Sequence, residues 1–262
     1  MYGQFLVTAI IQARMKSTRL FGKTMFPLAG KPVLQHIIER LRMSKFIDNI
    51  IVACTHGDKE IFELCDQLKC KYAAFDIDEN DVLERVLRTA KIVKTDMIVE
   101  ITSDCPCIDK YAVDDVISSL GNQPVNDYCS NVIQRTYPRG MDVQAFWLKT
   151  LEKVAAEVDN PVDRQHVSTW IYKNPRNYKR FKNMCVVLDK NPQVNYSHLR
   201  LCIDTKDDYE LLKFLFEAHK GVYFGLKEVI EFFMTYPELP SINKNVEQKD
   251  YYHELRCAYG EV

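Results

Sequence analysis

Apolar residues fall into two alternating rhythms along this chain. Short apolar runs are followed by stretches in which apolar positions recur every three or four residues. The runs at 5–11, 49–54, 71–75 and 97–101 predict strands. Between them, Val33, Leu34, Ile37, Ile38 and Leu41 predict a helix over 33–43, and Ile61, Phe62, Leu64, Cys65 and Leu68 another over 58–69. A third helix opens near Asn80 or Asp81, either one a good N-cap, with Val82, Leu83, Val86, Leu87 and Ala90 inward. Further helices are predicted over 110–120, 148–158, 162–172 and 226–234. A short strand over 199–204 ends in Asp204, and Thr205 then caps a helix whose first turn holds Asp207 and Asp208, where the helix dipole favours acids. Strands alternating with helices predict an α/β fold, three layers around a mostly parallel, doubly wound sheet. The stretch 126–147 interrupts that alternation and reads as a small β excursion ending in a hairpin, a surface for a second subunit. No repeat or linker divides residues 1–262, so one domain is expected, and the polar tail at 243–249 carries no signal.

Composition narrows the function classes. The chain is 47% apolar and 27% charged, with a net charge of −1. A general nucleic-acid binder would usually be basic over a whole face, so the charge argues against that class. No run nears the roughly 18 apolar residues of a membrane span. The N-terminus also lacks a charged-then-apolar leader pattern, and a cytoplasmic protein is expected. Nine cysteines, an odd number with no C-x-x-C pair, are expected to be reduced thiols rather than disulfides or zinc ligands.

Charge becomes informative where it is local. The first 38 residues hold five cationic side chains, Arg14, Lys16, Arg19, Lys23 and Lys31, and no acid. A strand that hands over to an acid-free loop pivoting on Gly22 and Gly30, and then to a helix, suits a polyphosphate: backbone N–H groups face the anion while Arg and Lys neutralise it. A solvated basic face is the plainer alternative. The spacing R-x-x-S-x-R-x-x-G-K is not that of the P-loop, so its mechanism does not transfer. Asp104 and Asp204 each follow a predicted strand, where doubly wound sheets bind ligands, although Asp104 could equally cap the helix beginning near Asp109. Carboxylates of this kind are what Mg²⁺ takes, one or two at a time, with phosphate oxygens and water.

The segment IIQARMKSTRLFGKTMFPLAGKPVLQHIIERL resembles the opening signature of the cytidylyltransferases that make CMP-activated acidic sugars, including CMP-Kdo and CMP-sialic acid synthetases. It is most similar to the branch named after spore coat polysaccharide biosynthesis protein F. Phe21 stands where that signature has Pro, which removes a fixed φ from the loop but no charge. Asp104 matches the Asp of the family's G-D-x-P-L motif, and Asp204 the first Asp of V-D-T-P-E-D-L. The resemblance implies a nucleotide-diphospho-sugar transferase fold, Rossmann-like, with CTP as donor and Mg²⁺ on Asp104 and Asp204. Arg14, Ser17, Arg19 and Lys23 then hold the β and γ phosphates, and Arg14, Lys23, Asp104 and Asp204 form the catalytic set. Asn80, Asp81 and Arg85, in an E-N-D-V-L-x-R segment, are expected at the base or ribose. Arg135, Asp142 and Gln144, within R-T-Y-P-x-G-x-D-x-E-x-F, are expected on the acceptor wall, with Gln144 in place of Glu. Arg164 and His166 match R-E-H-V-T-P-Y-I-Y and are expected at the acceptor as well.

The implied reaction transfers CMP from CTP to a sugar or sugar-like acceptor, releasing pyrophosphate, for cell-surface polysaccharide or glycan synthesis. A phosphorylated acceptor would instead give a CDP-linked product. A metal-dependent glycosyltransferase is the other rival, but it normally carries closely spaced D-x-D acids and no basic opening loop. The expected partners are CTP, a small-molecule acceptor and a second copy of the chain, with neither nucleic acid nor membrane.

Overall fold

The computed structural model describes residues 2–17, 19–173, 180–188, 193–248 and 250–258. The chain opens with β1 (Val7–Gln12), a turn of 3-10 helix at Lys23–Met25, the minimal hairpin of β2 (Pro27–Leu28) and β3 (Lys31–Pro32), and α1 (Val33–Leu41). The units β4 (Asn49–Thr55), α2 (Lys59–Gln67), β5 (Lys71–Phe75), α3 (Val82–Val93), β6 (Met97–Thr102) and α4 (Lys110–Asn122) follow. Then come β7 (Tyr128–Ser130), β8 (Gln144–Trp147), α5 (Leu148–Glu157), α6 (Pro161–His166), α7 (Thr169–Lys173) and β9 (Asn183–Cys185). Three helices close the described chain: α8 (Lys206–Ala218), α9 (Leu226–Thr235) and α10 (Tyr251–Ala258).

Seven of these strands form one sheet in the order β5-β4-β1-β6-β8-β7-β9. β1 lies parallel between β4 and β6, while β8 runs antiparallel to both β6 and β7. Alternation along the central strands sorts side chains onto two faces. Val7, Ala9 and Ile11 of β1, with Met97, Val99 and Ile101 of β6, pack under α1, α2, α4, α8 and α9. Ile10 and Ile98 pack on the other face with α3, α5 and α7. The remaining residues of that second face toward the strand ends are polar: Gln12, Glu100 and Thr102. The second core therefore gives way to a polar cleft at the carboxyl ends of β1 and β6, where ligands bind doubly wound sheets.

The structure departs from the expected elements in four places. The stretch 126–147 is no excursion: β7 and β8 join the main sheet, and the loop between them is anchored by buried Tyr137, Met141 and Val143. Residues 199–204 form no strand and make only a single parallel bridge, Arg139 to Arg200. The helix expected over 162–172 breaks at Val167, whose φ of 49° no helix contains. The tail is not idle either. Asn243 is buried, donating to Asp208 Oδ1 at 2.9 Å, and Gln248 Oε1 accepts from Arg200 at 2.8 Å; Lys249 lies outside the described residues.

Candidate active site

A cleft of about 650 Å³ opens over the ends of β1 and β6. Its first wall is the loop after β1. The Met15 amide donates to Asp58 Oδ1 at 3.0 Å and the Gly22 amide to the Met15 carbonyl at 2.9 Å, folding the loop back on itself. Gly22 takes the left-handed conformation (φ 69°) that starts the 3-10 turn carrying Lys23. Lys23 is thereby aimed across the cleft, where its Nζ sits 2.6 Å from Asp104 Oδ2 and 2.6 Å from Asp204 Oδ1. Arg19 meets the same Asp204 oxygen at 2.8 Å.

The two acids reach this point by different routes. Asp104 follows β6 directly, and Thr102 donates to its Oδ1 at 2.6 Å. Asp109, not Asp104, caps α4, accepting from the Tyr111 amide at 2.7 Å. Asp204 arrives by tertiary contact. The Ile203 amide donates to the Asp104 carbonyl at 2.9 Å, while Arg200 binds Asp204 Oδ2 at 2.8 Å and the fully buried Asp208 at 2.7 Å. Gly140 permits the approach behind it: its φ is 97°, and a Cβ there would lie 2.4 Å from the Leu201 carbonyl carbon. Burial alone would raise the Asp104 pKa, but the Lys23 ammonium more than reverses it, to about 2. Lys23 is itself raised, because the two carboxylates outweigh the desolvation of its ammonium.

Arg14 and Asn80 join on another side of the same cleft. Arg14 donates to Asn80 Oδ1 at 2.8 Å and to the Glu79 carbonyl at 3.2 Å. Arg85 lines the cleft floor although only 1% exposed. Desolvation lowers its pKa, and its Nε has no hydrogen-bond partner. Ser17 also lines the cleft. Asp81 and Arg164 do not. Asp81 caps α3 through the Glu84 amide at 3.0 Å, and Arg164 Nη2 pairs with it at 2.8 Å, so the two lock α6 onto α3 outside the cleft.

At the far end, Arg135 and Asp142 form a two-pronged ion pair at 2.5 and 2.8 Å. His166 lies 3.0 Å from Glu254 and edge-on to Tyr251 of α10. Gln144 pairs across the sheet with Glu100, and its Oε1 accepts from Tyr128 at 2.6 Å. No sequence pattern singles out Glu100, Ser168 or Lys173 as site residues. A lone acid inside the apolar run of β6 is the nearest thing to a signal for Glu100. It is 3% exposed, accepts from Gln12 Nε2 at 2.8 Å, and lies 2.6 Å from Ser168 Oγ. Ser168 Oγ is also 3.0 Å from Gln144 Oε1, so one hydroxyl proton faces two acceptors. A protonated Glu100 removes that shortage by donating to Ser168, which donates to Gln144. Burial pushes the Glu100 pKa up to about 7, the bonds from Ser168 and Gln12 offsetting only part of the rise.

Arg139 and Lys173 line the same end with no carboxylate partner among the described residues; Lys173 lies over the rings of Tyr251 and Tyr252. Desolvation lowers both pKa values, with repulsion from Arg135 adding to it at Arg139 and repulsion from Arg139 adding to it at Lys173. The cysteines flanking the acids, Cys105 and Cys202, are buried thiols whose pKa values desolvation raises, and all nine cysteines are free. Among the described residues no group of three or more His, Cys, Asp or Glu forms a ready-made metal cage, and no helix is long and apolar enough to cross a membrane.

Comparison with known proteins gives a consistent picture. The family model described as Cytidylyltransferase matches residues 8–251. An uncharacterised protein of Methanocaldococcus jannaschii is 33% identical over 249 residues, 94% of this chain and 97% of that protein. Spore coat polysaccharide biosynthesis protein SpsF of Bacillus subtilis is 31% identical over 214 residues, 79% of this chain and 85% of its own. A solved cytidylyltransferase from Leptospira borgpetersenii superposes with a TM-score of 0.82 at 32% identity, covering 94% of this chain and 100% of that one. The CTP complex of CMP:2-keto-3-deoxy-manno-octonic acid synthetase shares the fold, with a TM-score of 0.62 at 16% identity over 82% of this chain and 99% of that one.

Proposed function

The chain belongs to the cytidylyltransferase family, and from that premise we propose that it transfers CMP from CTP to a sugar or sugar-like acceptor carrying an anionic group, with release of pyrophosphate, in the making of a cell-surface glycan. The observation that carries the reading is the meeting of Asp104 and Asp204 at one ammonium, in a cleft that Arg14 and Arg19 also line. That donor set suits a hard divalent cation such as Mg²⁺: two carboxylate oxygens already reach one cationic nitrogen at 2.6 Å each, and phosphate oxygens and water would complete the shell. Held by Asp104 and Asp204, Mg²⁺ would polarise the α-phosphate and offset the charge that builds on departing pyrophosphate.

The protein's own groups do the rest by position and charge. In the free protein Lys23 and Arg19 rest on carboxylates. They exchange these for the β and γ phosphates, which Arg14 and Ser17 complete, so the cleft stays near charge balance as CTP enters. Asn80 and Arg85 lie toward the ribose and base. Arg85 gains most there, because a ligand oxygen would satisfy its buried, unpartnered Nε. Arg139 and Lys173 are the cations left over for an anion on the acceptor, with the Arg135–Asp142 pair and Gln144 framing it. The proposal extends to a homodimer in the cytoplasm, which size-exclusion chromatography and cell fractionation test.

Pyrophosphate release with each NTP, with and without Mg²⁺, against acidic sugars and phosphorylated polyols, is the deciding experiment. Release with CTP and an acidic sugar in the presence of Mg²⁺ is expected; release only with another nucleotide overturns the donor. A phosphomonoester acceptor is the second reading, favoured by the same two free cations, which fit a phosphate as well as a carboxylate. The product mass separates a CMP-linked from a CDP-linked compound.

A further inference from the structure

Residues 161–173 have the composition of a single helix and form two. The break falls at Val167, φ 49° and ψ −86°, a conformation near the γ-turn region that is strained for any side chain and more so for a β-branched one. Such strain is of order 1–3 kcal/mol and persists only where surrounding contacts over-determine it. Two contacts do so here. Val167 is fully buried in the core beneath α3 and α5, and the adjacent Ser168, also fully buried, reaches Glu100 Oε2 at 2.6 Å. Glu100 in turn is fixed by Gln12 at the end of β1. The strained residue is thus tied to the central strands of the sheet. Gln165 and His166 before the break, and Thr169, Tyr172 and Lys173 after it, all line the cleft.

We propose that Glu100 is a positioning residue for the acceptor wall: through Ser168 it holds the Val167 break, and with it the angle at which His166 and Lys173 face the cleft. Glu100 need not touch the acceptor for this. Its role is that of a buried bolt between sheet and wall. The inference rests on the reading that this end of the cleft receives the acceptor.

Two measurements test it together. Hydrogen–deuterium exchange on the free protein reports the bolt without any substrate. In Ser168→Ala, amides of 161–173 should exchange about tenfold faster or more, while those of β1 and β6 keep their wild-type rates. Steady-state kinetics report the positioning, with CTP and either 3-deoxy-manno-octulosonate or a phosphorylated polyol, whichever the wild type uses better. Ser168→Ala and Glu100→Ala should raise the acceptor KM about tenfold, leaving the CTP KM and the kcat at saturating acceptor within about twofold. Glu100→Gln, whose amide still reaches Ser168, should restore both readouts. Unchanged exchange in Ser168→Ala overturns the proposal. Faster exchange with a raised CTP KM and an unchanged acceptor KM keeps the bolt but overturns the assignment of this end to the acceptor.

Discussion

The two ends of the cleft are built on opposite electrostatic plans. At the end proposed for the nucleotide the cations nearest the two acids are already compensated: Lys23 bridges two carboxylates, and Arg19 shares one of them. At the far end Arg139 and Lys173 have no carboxylate partner among the described residues, and desolvation pushes the pKa of the buried acid Glu100 up to about 7. A compensated end can accept a polyanion and a divalent cation together with little net change in charge. An uncompensated end gains most from a single anion. The difference supports the proposal that CTP takes one end and the acceptor the other.

The largest effects are expected from breaking the compensated end. Asp104→Asn and Asp204→Asn should each lower kcat by about a thousandfold or more, since each removes several kcal/mol of charge stabilisation. Pyrophosphate release at saturating CTP measures this, and full turnover in either variant takes the metal out of the proposal. Next is the joint between the ends. Gly140→Ala forces a Cβ to within 2.4 Å of the Leu201 backbone at a φ of 97°, and should destabilise the fold by about 3 kcal/mol or more. Calorimetry should then show the melting temperature fall by roughly 5–10 °C; an unchanged melting point would mean that the segment placing Asp204 does not depend on this close approach.

Glu100 sharpens the contrast through pH. Its folded pKa of about 7 lies above the unfolded value of about 4.3, so between those values the folded state holds the extra proton. Its contribution therefore lowers stability progressively as pH rises from about 4 to 7, by on the order of 3 kcal/mol in total, and adds nothing below that window. Glu100→Gln should remove this part of the pH dependence, as urea melts at pH 5 and pH 8 would show; parallel pH curves for variant and wild type would mean an ionised Glu100. The smallest effect belongs to the free cations. Arg139→Ala should raise the acceptor KM about tenfold and leave the CTP KM alone, the loss expected for one charge-assisted hydrogen bond. A rise in the CTP KM instead would reverse the assignment of the two ends.

Legibility in the sequence followed the same divide. The basic loop was readable because its charges are close together in the chain and its strand and Gly22 are local signals. Asp104 was readable as the residue ending an apolar strand. Asp204 was singled out as the end of a strand that does not exist; it is set in place by the Ile203–Asp104 hydrogen bond and the Gly140 approach. Asp81 and Arg164 lie in matched motifs yet pair with each other outside the cleft, because a helix cap and a cation on a neighbouring helix satisfy one another first. Glu100 and Ser168 are 68 positions apart, and no spacing rule joins them.

The sequence by itself determined the layered α/β order, the cationic loop and the acids available to it, since hydrophobic period, turn chemistry and local charge act over a few residues. Only the tertiary structure decided which acids meet, which cations find a carboxylate partner among the described residues, and where burial raises the pKa of a carboxyl. Those are matters of distance and desolvation between segments far apart in the chain, and both come into being only when the sheet and its loops are packed.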